Sequence, residues 1–195
     1  MINMSFNFKK TFSTPFFDIE EAIDTSKPNS IPYYRMTGSD SVICCVMTMD
    51  GEFVMIRQYR PNISEYSLEF PAGGLLNSER PLEAAKREFL EETSFTTNFI
   101  FLGDYKLMMN RTNIKEYIFF GVDPKKKINS ITEKGIEVQL IKRTDLANFS
   151  ISGSYKQLAG LGVIQLVSIF MGLNILESPM DLIFKKFKER QDHEG

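Results

Sequence analysis

Residues 73–95, GGLLNSERPLEAAKREFLEETSF, decide how the rest of the chain is read. Five residues separate Gly73 from Glu79 and seven separate Glu79 from Arg87-Glu88, after which come Phe89, Glu91-Glu92 and Ser94-Phe95. Pro81 suits the first turn of a helix, where its missing N–H would lack a partner anyway, and Leu82, Ala85 and Phe89 then recur at helical spacing. The pattern predicts a helix over residues 81–93. On such a helix Glu88 stands four residues from Glu92 and three from Glu91, so the carboxylates crowd one face, away from a Leu82/Phe89 stripe. Like charges that close repel. A hard divalent cation such as Mg²⁺, with Mn²⁺ as a substitute, takes oxygen ligands and would remove the repulsion, and a diphosphate would complete its coordination. Arg87, four residues after Glu83 and four before Glu91, is placed to hold the acids. The glycines ahead of the helix allow a sharp turn and offer a backbone carbonyl as one more ligand.

With Gly73, Glu79, Arg87, Glu88, Phe89, Glu91, Glu92 and Phe95 all in register, the stretch resembles the signature of the Nudix hydrolase family. One position departs from it: the family's last glycine, which ends the helix with a positive φ, is Ser94 here. Ser94 implies a different cap and removes no metal ligand. Upstream, Gln58-Tyr59-Arg60-Pro61 and Glu69-Phe70-Pro71-Ala72-Gly73 resemble the ADP-ribose pyrophosphatase branch of that family.

The resemblance implies roles residue by residue. Glu88, Glu91 and Glu92 would act in catalysis and as metal ligands, joined by the Ala72 carbonyl, while Arg60 and Glu69 would help to hold the substrate. Arg57 offers a second permanently charged fork for phosphate near the same place. Relatives carry a catalytic glutamate on the mobile loop before a late strand; Glu133 is the first candidate for that base and Glu137 the second. The implied reaction is hydrolysis of a nucleoside diphosphate sugar, with ADP-ribose, giving AMP and ribose 5-phosphate, ahead of others such as GDP-mannose. The branch often has a Ser-Pro-Gly-like turn where this chain has Met109-Asn110-Arg111-Thr112, which leaves the sugar open. A non-catalytic nucleotide sensor is the alternative from another class, and the intact glutamate array favours the enzyme.

The wider composition agrees with a single domain: 195 residues, 43% hydrophobic and 25% charged, are enough for a full core. Residues 1–38 read as an N-terminal arm and 39–195 as the catalytic core. A net charge of −2 provides no basic field for nucleic acid or an anionic membrane. Substrate charge must then be met locally. Cys44 and Cys45 are adjacent inside an apolar run, so they are expected as buried free thiols in a reducing cytoplasm. The N-terminal MINMSFNFKKTFS lacks the apolar core of a secretory signal, consistent with that location. His193, in the terminal QDHEG, is the single histidine, which leaves carboxylates as the acids and bases for chemistry.

Secondary structure completes the expectation. Two or three short strands are predicted in the arm, around a turn-prone stretch at 24–30. Phe16, Phe17, Tyr33 and Tyr34 are there to stack on a base or pack on the sheet, and Tyr34 is the candidate substrate contact. The family's N-terminal strands help build a homodimer with a shared site, and the resemblance extends to this. Runs at 41–48 and 52–59 flank Asp50-Gly51 and predict a hairpin. Further strands are expected at 98–107, 114–122 and 136–141, with Lys125 to Lys127 in a solvated loop. Residues 155–176 approach membrane-spanning length, yet Gln157, Gln165, Ser168 and Asn174 with Gly160, Gly162 and Gly172 argue for a buried helix. Pro179 restarts the chain into an amphipathic closing helix before a loose tail. The fold class is α/β: a mixed sheet between helices, with the acidic helix against it.

Overall fold

Alternating aromatic and polar residues make the arm a three-stranded antiparallel sheet of β1 (Phe6–Ser13), β2 (Phe17–Asp24) and β3 (Tyr33–Gly38), in that order. The structure is a computed structural model describing residues 5–27 and 29–194, without the side chains of His193 and Glu194. The sole histidine's side chain therefore lies outside the described residues. β3 meets the rest of the chain where the Met36 N–H donates to the Arg111 carbonyl at 2.7 Å.

The core continues with β4 (Ser41–Met47), β5 (Glu52–Arg60), β6 (Glu65–Glu69), β7 (Ala72–Gly74), α1 (Pro81–Thr93), β8 (Phe95–Thr96), β9 (Phe99–Lys106) and β10 (Lys115–Val122). β11 (Lys125–Lys126), β12 (Ile136–Lys142), α2 (Arg143–Ser152), α3 (Leu158–Met171) and α4 (Met180–Glu194) close it. The main sheet runs β12-β5-β4-β10-β9, with β6 on β5 and β7 on β4. Its β4–β10 pairing is parallel and the others are antiparallel, so the sheet is mixed as expected.

The hairpin at Asp50-Gly51 forms, with Gly51 at φ +79°, but β4 and β5 share only the Met47–Phe53 register pair. Beyond it the strands part. β5 pairs with β6 from Ile56 to Arg60, and β4 pairs with β7 from Ser41 to Ile43. The buried Phe70, edge-on to Phe53 at 5.5 Å between centroids, sits in the wedge between them. An Asp-Gly turn specifies how a hairpin closes and says nothing about how far its strands stay together.

Both faces of β4 are covered, which explains its unbroken apolar run. Val42, Cys44 and Val46 pack with Ala84, Ala85 and Phe89 of α1. Ile43, Cys45 and Met47 pack with Val163 and Val167 of α3 and Ile183 and Phe187 of α4. Successive strand residues point to opposite faces. Cys44 and Cys45 therefore lie in different clusters, buried and free.

Three expectations change. α2 was not anticipated: only Leu146 of it is buried and no side chain caps its start, so its sequence carries little helical signal. Lys125 and Lys126 are exposed but form a short strand against Thr96 and Phe95. The closing helix extends through Glu194, where a loose tail was expected. The apolar segment becomes α3, only 14 residues long and ended by the left-handed Gly172. Among the described residues no helix is long and apolar enough to cross a membrane.

Phe89 is 1% exposed and stands edge-on to Phe99 at 5.7 Å, so it fastens α1 to the sheet. We expect Phe89→Ala to lower unfolding free energy by about 3–5 kcal/mol in urea titration. A loss under about 1 kcal/mol would contradict this packing role.

Candidate active site

α1 begins and ends where its spacing placed it, but it buries a different face. Leu82 is 40% exposed, and the buried positions are Ala84, Ala85, Phe89, Glu92 and Thr93. The two alanines let the helix lie close enough to β4 for the Cys44 Sγ to approach the Ala85 carbonyl at 3.5 Å. Glu88 and Glu92 consequently face inward toward β7 rather than out to water. The Ala72 N–H donates to Glu92 Oε2 at 2.9 Å. A methyl group at Gly73 would overlap the Glu88 carboxylate where it lies, so this glycine lets the carboxylate approach the β7 backbone.

Arg87 is the hub of the acids. Its Nε and Nη2 donate to the two oxygens of Glu79 at 2.8 Å, and Nη2 also reaches the Gly74 carbonyl at 3.0 Å. Its Nη1 donates to Glu88 at 2.7 Å and to Glu91 at 3.2 Å. Glu83, expected as a further partner, pairs with Arg80 at 2.5 Å instead. Arg87, with the Leu76 N–H, holds the Glu79 carboxyl down at about 2.

The inward acids behave oppositely. Burial pushes the Glu92 carboxyl up to about 8; the Ala72 N–H opposes this, and the charges of Glu88 and Glu133 add to it. Burial also raises Glu88, against the pull of Arg87 and with the repulsion of Glu91 and Glu133. Two carboxylates drawn away from water and close enough to feel each other's charge form an oxygen donor set suited to a hard divalent cation. Among the described residues, no three acid, cysteine or histidine side chains already converge as a metal-binding group. Arg87 engages Glu88 and Glu91, and the Ala72 N–H engages Glu92.

Glu88 and Glu92 open onto a cleft of about 650 Å³ that is also lined by Gln58, Tyr59, Arg60, Ala72, Glu133, Lys134 and, from the arm, Phe16. The Glu133 N–H donates to the Glu91 carbonyl at 2.9 Å, tying its loop to the end of α1. Arg60 grips Glu69 with a two-pronged pair, Nε to Oε1 at 2.8 Å and Nη2 to Oε2 at 2.5 Å. Burial works against the Glu69 charge, but Arg60 and the Ser67 hydroxyl hold its carboxyl below the ordinary value.

Other expected site residues lie apart from this cleft. Arg57 and Glu137 face each other in the β5–β12 register and pair at 3.4 Å, with Arg57 4.0 Å over the Tyr66 ring. Tyr34 donates to Glu21 within the arm at 3.1 Å. Phe16, beside Pro15 in the β1–β2 turn, takes the aromatic position in the cleft, 85% exposed. Gln58 and Tyr59 belong to the run that carries the branch resemblance but had no role of their own, and Lys134 is marked in the sequence only by standing next to Glu133.

Ser94 also departs from expectation. It adopts the left-handed cap itself, at φ +61° and ψ 20°, with its N–H donating to the Leu90 carbonyl at 2.8 Å. A serine thus keeps the geometry that a glycine adopts more easily.

A model of the NUDIX domain matches residues 39–157. The chain belongs to the Nudix family. Within that family, an ADP-sugar pyrophosphatase of Mus musculus is 45% identical over 42 residues, which cover 22% of this chain and 19% of that protein. An ADP-ribose pyrophosphatase of Bacillus subtilis (strain 168) is 36% identical over 56 residues, covering 29% of this chain and 30% of that protein. The chain thus matches less than a third of the length of either relative. A solved structure of an ADP compounds hydrolase superposes with a TM-score of 0.74 at 19% identity, over 87% of this chain and 94% of that one, and shares the fold.

Two tests follow from this geometry. Glu88 can swing away from an added methyl, so we expect Gly73→Ala to keep its melting temperature within a few degrees while weakening Mg²⁺ binding about tenfold or more in calorimetry. Unchanged affinity would remove Glu88 from the donor set. Glu92, near 8 when folded against 4.5 ordinarily, binds its proton more tightly in the folded chain. Folded protein therefore holds more protons than unfolded between those values, and stability falls as pH rises through that window. We expect the melting temperature of chelator-treated protein to drop from about pH 5 to 8 and Glu92→Gln to flatten the drop; equal slopes in both proteins would refute the assignment.

Proposed function

We propose that the protein hydrolyses the pyrophosphate bond of a nucleoside diphosphate sugar with Mg²⁺ as cofactor, ADP-ribose to AMP and ribose 5-phosphate being the leading substrate. The observation that carries this reading is the pair of inward carboxylates, Glu88 and Glu92, opening onto a cleft shared with Arg60 and Glu133. The similarity to an ADP-sugar pyrophosphatase and an ADP-ribose pyrophosphatase supports the substrate class.

A bound divalent ion would neutralise the diphosphate and lower the pKa of a coordinated water. Glu88, Glu92 and the Ala72 carbonyl would hold it, joined by Glu91. Arg87 orients Glu88 and Glu91 and keeps Glu79 ionised. Glu133 accepts the proton as water adds to one phosphorus; the bridging P–O bond breaks and its oxygen leaves with the other phosphate. Glu137 is the weaker choice, because it lies against Arg57 outside the cleft lining. Arg60, oriented by Glu69, binds phosphate, and Phe16 with Tyr59 offers the base an aromatic surface. GDP-mannose and other nucleotide sugars fit the same chemistry. Free buried thiols at Cys44 and Cys45 support a reducing cytoplasm. The exposed β1, with Phe6, Phe8 and Phe12 at its surface, supports a homodimer formed through the arm.

Purified protein with Mg²⁺ should release AMP from ADP-ribose. Release of no monophosphate from ADP-ribose, GDP-mannose or related sugars would exclude the enzyme, and binding without turnover would favour a sensor. Glu88→Gln and Glu92→Gln should each lower kcat about 10²-fold or more with the fold intact. Glu133→Gln should lower kcat about 10²-fold at near-constant KM while Glu137→Gln stays close to the parent. The reverse pattern would exchange the two roles.

A further inference from the structure

The loop carrying Glu133 is sewn to the C-terminal end of α1 by side chains that the proposed chemistry does not use. The last carbonyls of a helix lack partners within it. Here the Glu91 carbonyl accepts from the Glu133 N–H at 2.9 Å. The Ser94 carbonyl, just past the helix, accepts from the Lys127 N–H at 2.9 Å and from the Ser130 hydroxyl at 3.5 Å. Ser130 in turn donates to the Lys127 carbonyl at 2.8 Å. The two backbone bonds are open to any residue type, whereas Ser130 acts through its hydroxyl.

The hydroxyl of Ser94 adds something that a glycine lacks. Ser94 is 4% exposed, and its Oγ lies 3.1 Å from Thr132 Oγ1, the residue next to Glu133. At φ +61° a serine is held in a region that glycine occupies without penalty, so the backbone alone gives no reason for a side chain there. The side chain's contact is with the loop. We infer that the Ser94–Thr132 hydroxyl pair, buried at Ser94 and half-buried at Thr132, is a positioning device, locking the Glu133 loop against the helix that bears Glu88 and Glu92.

This inference rests on the proposed role of Glu133. Glu133 is exposed; its N–H donates to the Glu91 carbonyl at 2.9 Å and its carbonyl accepts from the Ile136 N–H at 3.2 Å, and the adjacent Thr132 adds a side-chain tie to the cap of α1. Placement of a catalytic group within about 1 Å can change rates up to about 10²-fold, so releasing the neighbouring residue acts on turnover more than on binding.

Ser94→Gly removes the hydroxyl and also relieves the left-handed backbone. Its melting temperature should hold or rise. Its kcat for ADP-ribose with Mg²⁺ should fall about tenfold with KM within about twofold, and amide exchange across residues 128–135 should quicken about tenfold. Thr132→Val should do the same without the gain in stability, Thr132→Ser should restore the parent rate, and the double variant should be no slower than the slower single. Parent-like kcat and exchange in both Ser94→Gly and Thr132→Val would overturn the inference and leave Ser94 as a cap alone. Glu133→Gln separates the two readings. If it is slow while the hydroxyl variants are not, positioning fails and the base stands. If it turns over like the parent, the base reading fails, and positioning of a base fails with it whatever exchange shows for the loop.

Discussion

The burial of two like-charged carboxylates between α1 and β7 is the constraint from which the rest of the molecule takes its shape. Glu88 and Glu92 sit four residues apart on a face that packs inward, where desolvation raises both. Small and basic neighbours make room for them and offset their charge. Ala84 and Ala85 admit the helix to the sheet, Gly73 leaves room for a carboxylate where a methyl would collide, and the Ala72 N–H holds Glu92. Arg87 stabilises the remaining acids by bridging Glu79, Glu88 and Glu91 in one side chain. A buried acid pair without such partners costs several kcal/mol per ion, so these contacts are conditions of folding as well as of chemistry.

The splayed hairpin opens the cleft beside that acid pair. Because β4 and β5 separate after one register pair, the segment from β6 to β7 crosses between them and delivers Glu69, Ala72 and Gly73 together. The turn at Phe70 is fixed from the opposite face of the sheet. Gln157, just ahead of α3, accepts at its side-chain oxygen from the Phe70 N–H and from the buried Tyr155 hydroxyl, both at 3.1 Å. One side of the wedge is thus bolted to the α3/α4 core and the other carries the acids.

What could be read in the sequence was what neighbouring residues determine among themselves. Pro81 and the 3.6-residue period fixed α1, and the spacing from Gly73 to Phe95 fixed the family resemblance. The buried face of α1 was misjudged because alanine carries a weak apolar signal, while a large leucine at position 82 drew the stripe toward solvent. Arg57 and Glu137 are cross-strand neighbours only after β12 finds β5, and no local pattern announces that pairing. The same holds for Phe16 and Tyr34: both are exposed aromatics of the arm, and which one reaches the cleft depends on how the arm docks. Helix α2 escaped notice because it buries a single leucine and starts without a side-chain cap.

Cys44 shows how the packing bears on the proposed metal. Its sulfur lies under α1 on the same face as the acids, and burial, with the charges of Glu92 and Glu88, pushes its thiol well above the ordinary value. Only a thiolate is an effective metal ligand. A thiol held protonated and directed at the Ala85 carbonyl therefore offers no soft donor, even though it lies near a cluster of carboxylates. Cys45 is turned to the opposite face, and its thiol is also raised by burial. The donors left to the cleft are carboxylate and peptide oxygens, which suit a hard divalent cation better than a thiophilic one. The alternation of one strand thus separates the chain's two sulfurs, and the charge of the acids suppresses the one that shares their side.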